Sequence, residues 1–250
     1  MRRLLPALVL PLLAFPATAF AGTGTSSNWA GYAVHRSGVH FRAVSAAWTV
    51  PAVSCTGRSG YSANWVGLGG YHTNAAALEQ IGTESDCTRS GRAVYSAWFE
   101  LVPDTSRTLS LTVQAGDRVS ARVEVDGQSV SLHLRNLTRG TSFARRLTAR
   151  AVDTTAAEWI VEAPSACTAT RCRILPLASF GATTFNSAHA TSTGGHTGTI
   201  ADPLWAATAI DLAADGPQLG GPTGREDSTR ASADTGALST TGGSFTVTSS

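Results

Sequence analysis

Apolar and polar residues alternate with a period of two along most of this chain, and helical spacing is almost absent. Leu109, Leu111 and Val113, then Val119, Ala121, Val123 and Val125, mark strand character over 107–125. Asp126-Gly127 predicts a tight hairpin into a partner strand carrying Val130, Leu132 and Leu134. Further strands are predicted near 39–50, 60–68, 76–85, 93–102, 143–151, 156–162, 174–186, 205–213 and 244–249. Many short antiparallel strands without helices imply an all-β fold, a β-sandwich of two antiparallel sheets. Residues 214–236, rich in Gly, Asp, Ser and Pro, read as a long exposed loop.

Alternation also sorts the polar residues by face, because residues two apart in a strand share a side. Ser96, Trp98 and Glu100 share one face, and Tyr95, Ala97, Phe99 and Leu101 take the other, the core side. Leu78, Gln80, Gly82 and Glu84 share a face, as do Glu158, Ile160 and Glu162, opposite Trp159 and Val161. Three strands therefore each set carboxylates on one side, among Trp and amide groups. Such a face is either an ordinary solvated sheet surface or a concave ligand groove.

The chain has 250 residues, 42% of them hydrophobic and 14% charged, which suits one packed domain and excludes a disordered chain. Its only long apolar run is N-terminal, which excludes a multi-span membrane protein. That run follows Arg2 and Arg3, extends from Leu4 to Phe15, and precedes a small-x-small site at Ala19-Phe20-Ala21. It reads as a secretory signal over residues 1–21, with one domain over 22–250. All 19 basic residues are Arg, so without the leader 17 Arg balance 17 acids. With no basic run, nucleic acid is not an expected partner, nor is a membrane once the leader is cut.

Export changes the meaning of Cys55, Cys87, Cys167 and Cys172. Four cysteines in a secreted chain suggest two disulfides, with three possible connectivities. Cys167 and Cys172 bracket a short loop, which leaves Cys55 for Cys87. A zinc site lacks CxxC pairs and nearby His ligands, and no metal or cofactor is expected. The six His have no metal-ligand spacing, and the GxSxG, HExxH and Walker patterns are missing. Asn136-Leu137-Thr138 fits the glycosylation triplet, a pattern that chance often produces.

Several segments share a known order. They are Ser26-Ser27-Asn28-Trp29-Ala30-Gly31-Tyr32, Trp48-Thr49-Val50-Pro51, Trp65-Val66-Gly67-Leu68-Gly69-Gly70 and Gln80-Ile81-Gly82. Tyr95-Ser96-Ala97-Trp98-Phe99-Glu100, Ala157-Glu158-Trp159-Ile160-Val161-Glu162 and Pro176-Leu177-Ala178-Ser179-Phe180 follow. Together they resemble the glutamic peptidase family, also called eqolisins. The resemblance implies a concanavalin-A-like jelly roll and a secreted, acid-active endopeptidase that takes proteins or peptides and is expected to be a monomer. It also implies a catalytic pair at Gln80 and Glu162, with Trp65, Trp98 and Glu100 lining the cleft and Glu84 nearby. In that scheme Glu162 draws a proton from water, and Gln80 donates N–H to the oxyanion. Glu158 has no catalytic role in it.

Fungal members carry Asp where this chain has Gly69 and Ser96, Asp in place of Glu84, and Tyr in place of Val102. A thinner acid network implies a less perturbed Glu162. Two other classes share this architecture. A lectin-like module would use Trp65 and Trp98 as sugar platforms, and a glycoside hydrolase would use Glu100 with Glu162.

Overall fold

The computed structural model describes residues 21–73, 75–167, 172–220 and 232–250. The predicted leader, but for Ala21, lies outside that range. No helix occurs among the described residues, and eighteen strands account for the fold.

The first strands are β1 (Ala21–Ser26), β2 (Trp29–His35), β3 (Phe41–Thr49), β4 (Ala63–Gly69), β5 (Leu78–Cys87) and β6 (Ala93–Val102). Then come β7 (Arg107–Thr108), β8 (Arg118–Asp126), β9 (Ser129–Asn136), β10 (Thr141–Thr148), β11 (Ala156–Glu162) and β12 (Ser165–Cys167). The last six are β13 (Cys172–Ile174), β14 (Ala182–Ser192), β15 (Thr197–Thr199), β16 (Ala206–Leu212), β17 (Ala233–Thr235) and β18 (Phe245–Ser249).

One ladder runs β10-β9-β8-β3-β14-β18-β17-β16-β2-β11-β4-β5-β6-β7 and folds back on itself to make the two layers of a β-sandwich. The strand that changes layer is β14. Its residues Ala182–Phe185 pair with β18 in the front layer, and from Asn186 onward it pairs with β3 in the back layer. The register slips between Asn186 and His189, where Ser187 takes a left-handed φ of 52°. A bulge of this kind turns the corner without breaking the ladder.

Between the layers lies the main core. The back layer contributes Trp48, Val119, Ala121, Val123, Leu132 and Leu134. The front layer contributes Val66, Ile81, Ala97, Phe99, Trp159 and Val161. The hairpin β8–β9 closes around Gly127, whose φ of 58° suits the first position of a two-residue loop. A second, smaller cluster covers the outer face of the front layer, with Trp29, Trp65, Leu78, Trp98, Ile160 and Leu219. The front layer is therefore buried on both sides.

Both disulfides are closed, Cys55 with Cys87 and Cys167 with Cys172. The first ties the 50–60 segment to the end of β5, and the second closes the β12–β13 hairpin. With all four sulfurs paired, no thiolate is left to bind zinc.

Several expectations need correction. Residues 109–117 are not strand, although Leu111 and Val113 are buried as alternation demands. The 174–186 strand is interrupted, because 175–181 has no ladder and β14 starts only at Ala182. Strand β2, unmarked by alternation, is buried along nearly its whole length. Residues 214–236 do not form one exposed loop: Leu219 is buried, and Ala233, itself fully buried, begins a strand. Residues 221–231 lie outside the described range. Asn136 is fully buried and bonded to Asp117 and Thr112, so the triplet it heads offers no acceptor for a glycan.

Candidate active site

Antiparallel pairing aligns the candidate residues across four adjacent strands. Glu100 of β6 faces Gln80 of β5, which faces Gly67 of β4, which faces Glu158 of β11. One step along, Trp98 faces Gly82, and Gly82 faces Trp65. Glu162 lies four residues beyond Glu158, on the same face of β11. Gln80, Trp98, Glu100 and Glu162 all line one cavity of about 480 Å³, together with Glu84, Asp86 and Tyr61.

Gly82 makes this packing possible. A Cβ there would stand 2.1 Å from the Asn64 carbonyl and 2.7 Å from the Trp65 Cβ. The indole of Trp65 fills that side of the sheet, and its Nε1 donates to Glu162 Oε2 at 2.8 Å. Trp65 itself is fully buried and does not line the cavity. Its place is behind the carboxylate, not on the substrate side. Trp98 does line the cavity.

The other Glu162 oxygen takes a hydrogen bond from Asn28 Nδ2 at 3.3 Å. Asn28 also donates to the Leu219 carbonyl and accepts from the Leu219 N–H, both at 2.9 Å. One carboxamide thus clamps the catalytic-side carboxyl and the segment that walls the cavity. Gly220 continues that wall with φ 76°, and any side chain there would collide with the Trp29 ring. Asn28 belongs to a segment noted in the sequence, yet nothing local assigned it a role. Its partners are 134 and 191 residues away.

Gln80 donates through Nε2 to Glu100 Oε2 at 2.8 Å, while its Oε1 is buried with no hydrogen-bond partner among the described residues. Glu84 accepts from the Ser96 hydroxyl at 2.8 Å, across the same strand pair. Asp86, one more position along β5, accepts from the Ser62 N–H and joins the cavity wall. It was not singled out in the sequence, although it continues the Gln80, Gly82, Glu84 row.

Burial governs the protonation of this site. It pushes the Glu162 carboxyl up to about 8, with the neighbouring Glu100 charge adding to the rise and the Trp65 and Asn28 donors opposing it. Glu100 and Glu84 are raised by burial as well, against the hydrogen bonds from Gln80 and Ser96. Asp86 rises to about 7 through burial and the charge of Glu84. Desolvation thus raises Glu162 although Gly69 and Ser96 stand where the fungal pattern has acids.

Glu158 is also buried, and neither of its oxygens finds a partner among the described residues. Burial raises it well above the ordinary value, and the charges of Asp153 and Glu79 raise it further. Glu79, fully buried, is lifted to about 9 by burial. These acids do not line the 480 Å³ cavity.

The structure is thus a two-layer β-sandwich with a carboxyl and a carboxamide bordering one cavity. The chain belongs to the peptidase A4 family, whose model matches residues 27–221. It is similar to scytalido-glutamic peptidase, solved with a transition state analog inhibitor, at 25% identity and a TM-score of 0.70. That match covers 90% of this chain and 98% of the other. Aspergilloglutamic peptidase from Aspergillus niger is 30% identical with a TM-score of 0.58, covering 76% of this chain and 99% of that one. SCP-B, an eqolisin solved with the tripeptide Ala-Ile-His, shares the fold at 24% identity and a TM-score of 0.66, over 90% and 98% of the two chains. No curated protein matches in sequence. The chain is a glutamic endopeptidase, and its substrates are proteins or peptides.

Proposed function

We propose that this endopeptidase is secreted, acts as a monomer in acid, and cleaves peptide bonds by direct attack of water activated by Gln80 and Glu162. The observation that carries the reading is the pair itself: both side chains border one cavity, and Gln80 Oε1 is buried and unpartnered. A free carbonyl oxygen there can orient a water. The amide nitrogen has two hydrogens, of which one goes to Glu100 and the other is free for an oxyanion.

Glu162 as carboxylate takes a proton from the water as its oxygen bonds to the scissile carbonyl carbon. The carbonyl oxygen becomes an oxyanion held by Gln80 Nε2. The proton on Glu162 then passes to the amide nitrogen, the C–N bond breaks, and an acid and an amine leave. Glu100 holds Gln80 in orientation and shares the proton of the carboxyl pair. Burial and mutual repulsion keep at least one proton on Glu162 and Glu100 throughout the acid range. Once both carboxyls ionise, that proton is gone and the site holds two repelling charges. The active form is thus the singly protonated pair, with Glu100 holding the proton and Glu162 ionised as the base. The leader-like residues 1–21 and the two disulfides support export.

The test is incubation with denatured protein, and separately with xylan and glucan, across a pH series. Peptide products that disappear in both Gln80→Ala and Glu162→Gln are expected. Sugar release, or full proteolysis by either variant, would overturn the dyad.

A further inference from the structure

A second groove lies away from the catalytic cleft. It has a volume of about 740 Å³ and lies on the outer face of the back layer. Along β8, Val119, Ala121 and Val123 point into the core, so Arg118, Ser120 and Arg122 point outward, on the far side of the sandwich from Glu162. The register sets Arg122 opposite His133 and Ser120 opposite Arg135. Small residues make the floor, Ser45 and Ala47 from β3 among them.

Among the described residues no acidic side chain lines this groove. Arg122 pairs with Glu124 on its own strand. Arg118 and Arg135 form no ion pair among the described residues, and the nearby Asp117 is buried and committed to Arg139 and Asn136. Packing does not explain these cations, since any outward polar residue would serve the sheet. The cleft side instead gathers carboxyl groups, Glu84, Asp86, Glu100 and Glu162.

We infer that this groove is a second binding site, an exosite for an extended acidic stretch of a polypeptide. The spacing fits that occupant. In an extended chain alternate side chains on one face are about 6.7 Å apart. Arg118 and Arg122 are four residues apart on β8, about 13 Å, and Arg135 projects between them from the next strand, about 5 Å away. Carboxylates at positions i and i+2 of a peptide therefore meet Arg118 and Arg135 in turn, the two cations without an ion pair among the described residues. A sugar polymer would need a stacking surface, and the one Phe of the groove, Phe143, is turned inward to stack on Phe99. Because the groove faces away from the cleft, it acts by holding protein substrates that carry acidic segments, and leaves the chemistry alone.

The test is fluorescence anisotropy of a labelled alternating Glu-Ala peptide with the folded protein at neutral pH and low salt. Mass spectrometry checks that the peptide stays intact. Saturable binding that weakens by at least ~10-fold in Arg118→Glu/Arg135→Glu and fades at high salt is expected. An alternating Gln-Ala peptide is expected not to bind, and Arg118→Lys/Arg135→Lys is expected to keep part of the affinity. Hydrolysis of a short uncharged peptide is expected to stay within ~2-fold in all variants, which shows that they fold and separates this site from the dyad. Absence of binding, or binding unchanged in the Glu double variant, overturns the proposal. Tighter competition by polygalacturonate or polyphosphate than by the acidic peptide overturns the choice of occupant.

Discussion

Strands β8 and β5 are of similar length and opposite character. In β8 every second residue is buried, from Val119 to Val125, and Arg118, Ser120, Arg122, Glu124 and Asp126 point away from the core. In β5 nearly every residue is buried, because the front layer has the sandwich core behind it and the Trp-rich cluster before it. The polar residues of β8 keep their water, and Glu124 finds an Arg beside it. Those of β5 lose it, and Glu79, Glu84 and Asp86 all rise in pKa as a result. The same alternation of sequence thus produces an ordinary surface in one layer and a reactive one in the other. What separates them is the second cover, not the strand itself.

That contrast can be broken most strongly at the dyad. Glu162→Gln is expected to lower kcat by ~10²–10⁴, and Gln80→Ala by ~10²–10³. The double variant is expected to fall far short of the product, since both side chains act on one water. Steady-state kinetics on a peptide substrate check this. Glu158→Gln, on the same strand and face, is expected to stay much more active.

In the back layer the corresponding loss is one of stability. Leu132→Ala removes a fully buried side chain and is expected to cost ~2–5 kcal/mol in denaturant unfolding. Its kcat at a temperature where it is folded is expected to be unchanged.

A subtler contrast lies in pH. A carboxyl whose pKa is raised in the folded chain binds its proton more tightly there than when unfolded. The stability it contributes is complete below its ordinary value of about 4.5 and is lost as pH rises. Glu79 spreads that loss up to about 9, and Asp86 up to about 7. The protein is therefore expected to be most stable in acid and to unfold on the alkaline side. Glu79→Gln is expected to move that alkaline midpoint upward, as followed by circular dichroism across pH. Glu124→Gln on β8 is expected to leave it in place.

The smallest effect concerns the shape of the activity profile. The alkaline limb is the loss of the last proton from the Glu162–Glu100 pair, so Glu100→Gln, which lacks the carboxyl that holds it, is expected to lose that limb, and its acid limb is expected to move to lower pH because the Glu100 charge no longer raises Glu162. An alkaline limb that stays put in that variant would remove Glu100 from the shared-proton scheme.

Much of this was written in the chain. Period-two alternation identified β3, β8 and β9 of the back layer, the Asp126-Gly127 hairpin and the faces of β5, β6 and β11, because alternation is a local consequence of pleating. It failed where burial was two-sided: β2 shows no alternation and passed unmarked. It also overran where a buried apolar residue needs no ladder, as at Leu111 and Val113. The Gln80 and Glu162 positions were legible through motif resemblance. Their setting was not, because Asn28, Leu219 and Trp65 reach Glu162 only after strands far apart in sequence are paired. Residue order determined which side chains share a strand face. Only the folded sandwich decided which of those faces lose their water, since desolvation depends on what packs above a residue and not on its neighbours along the chain.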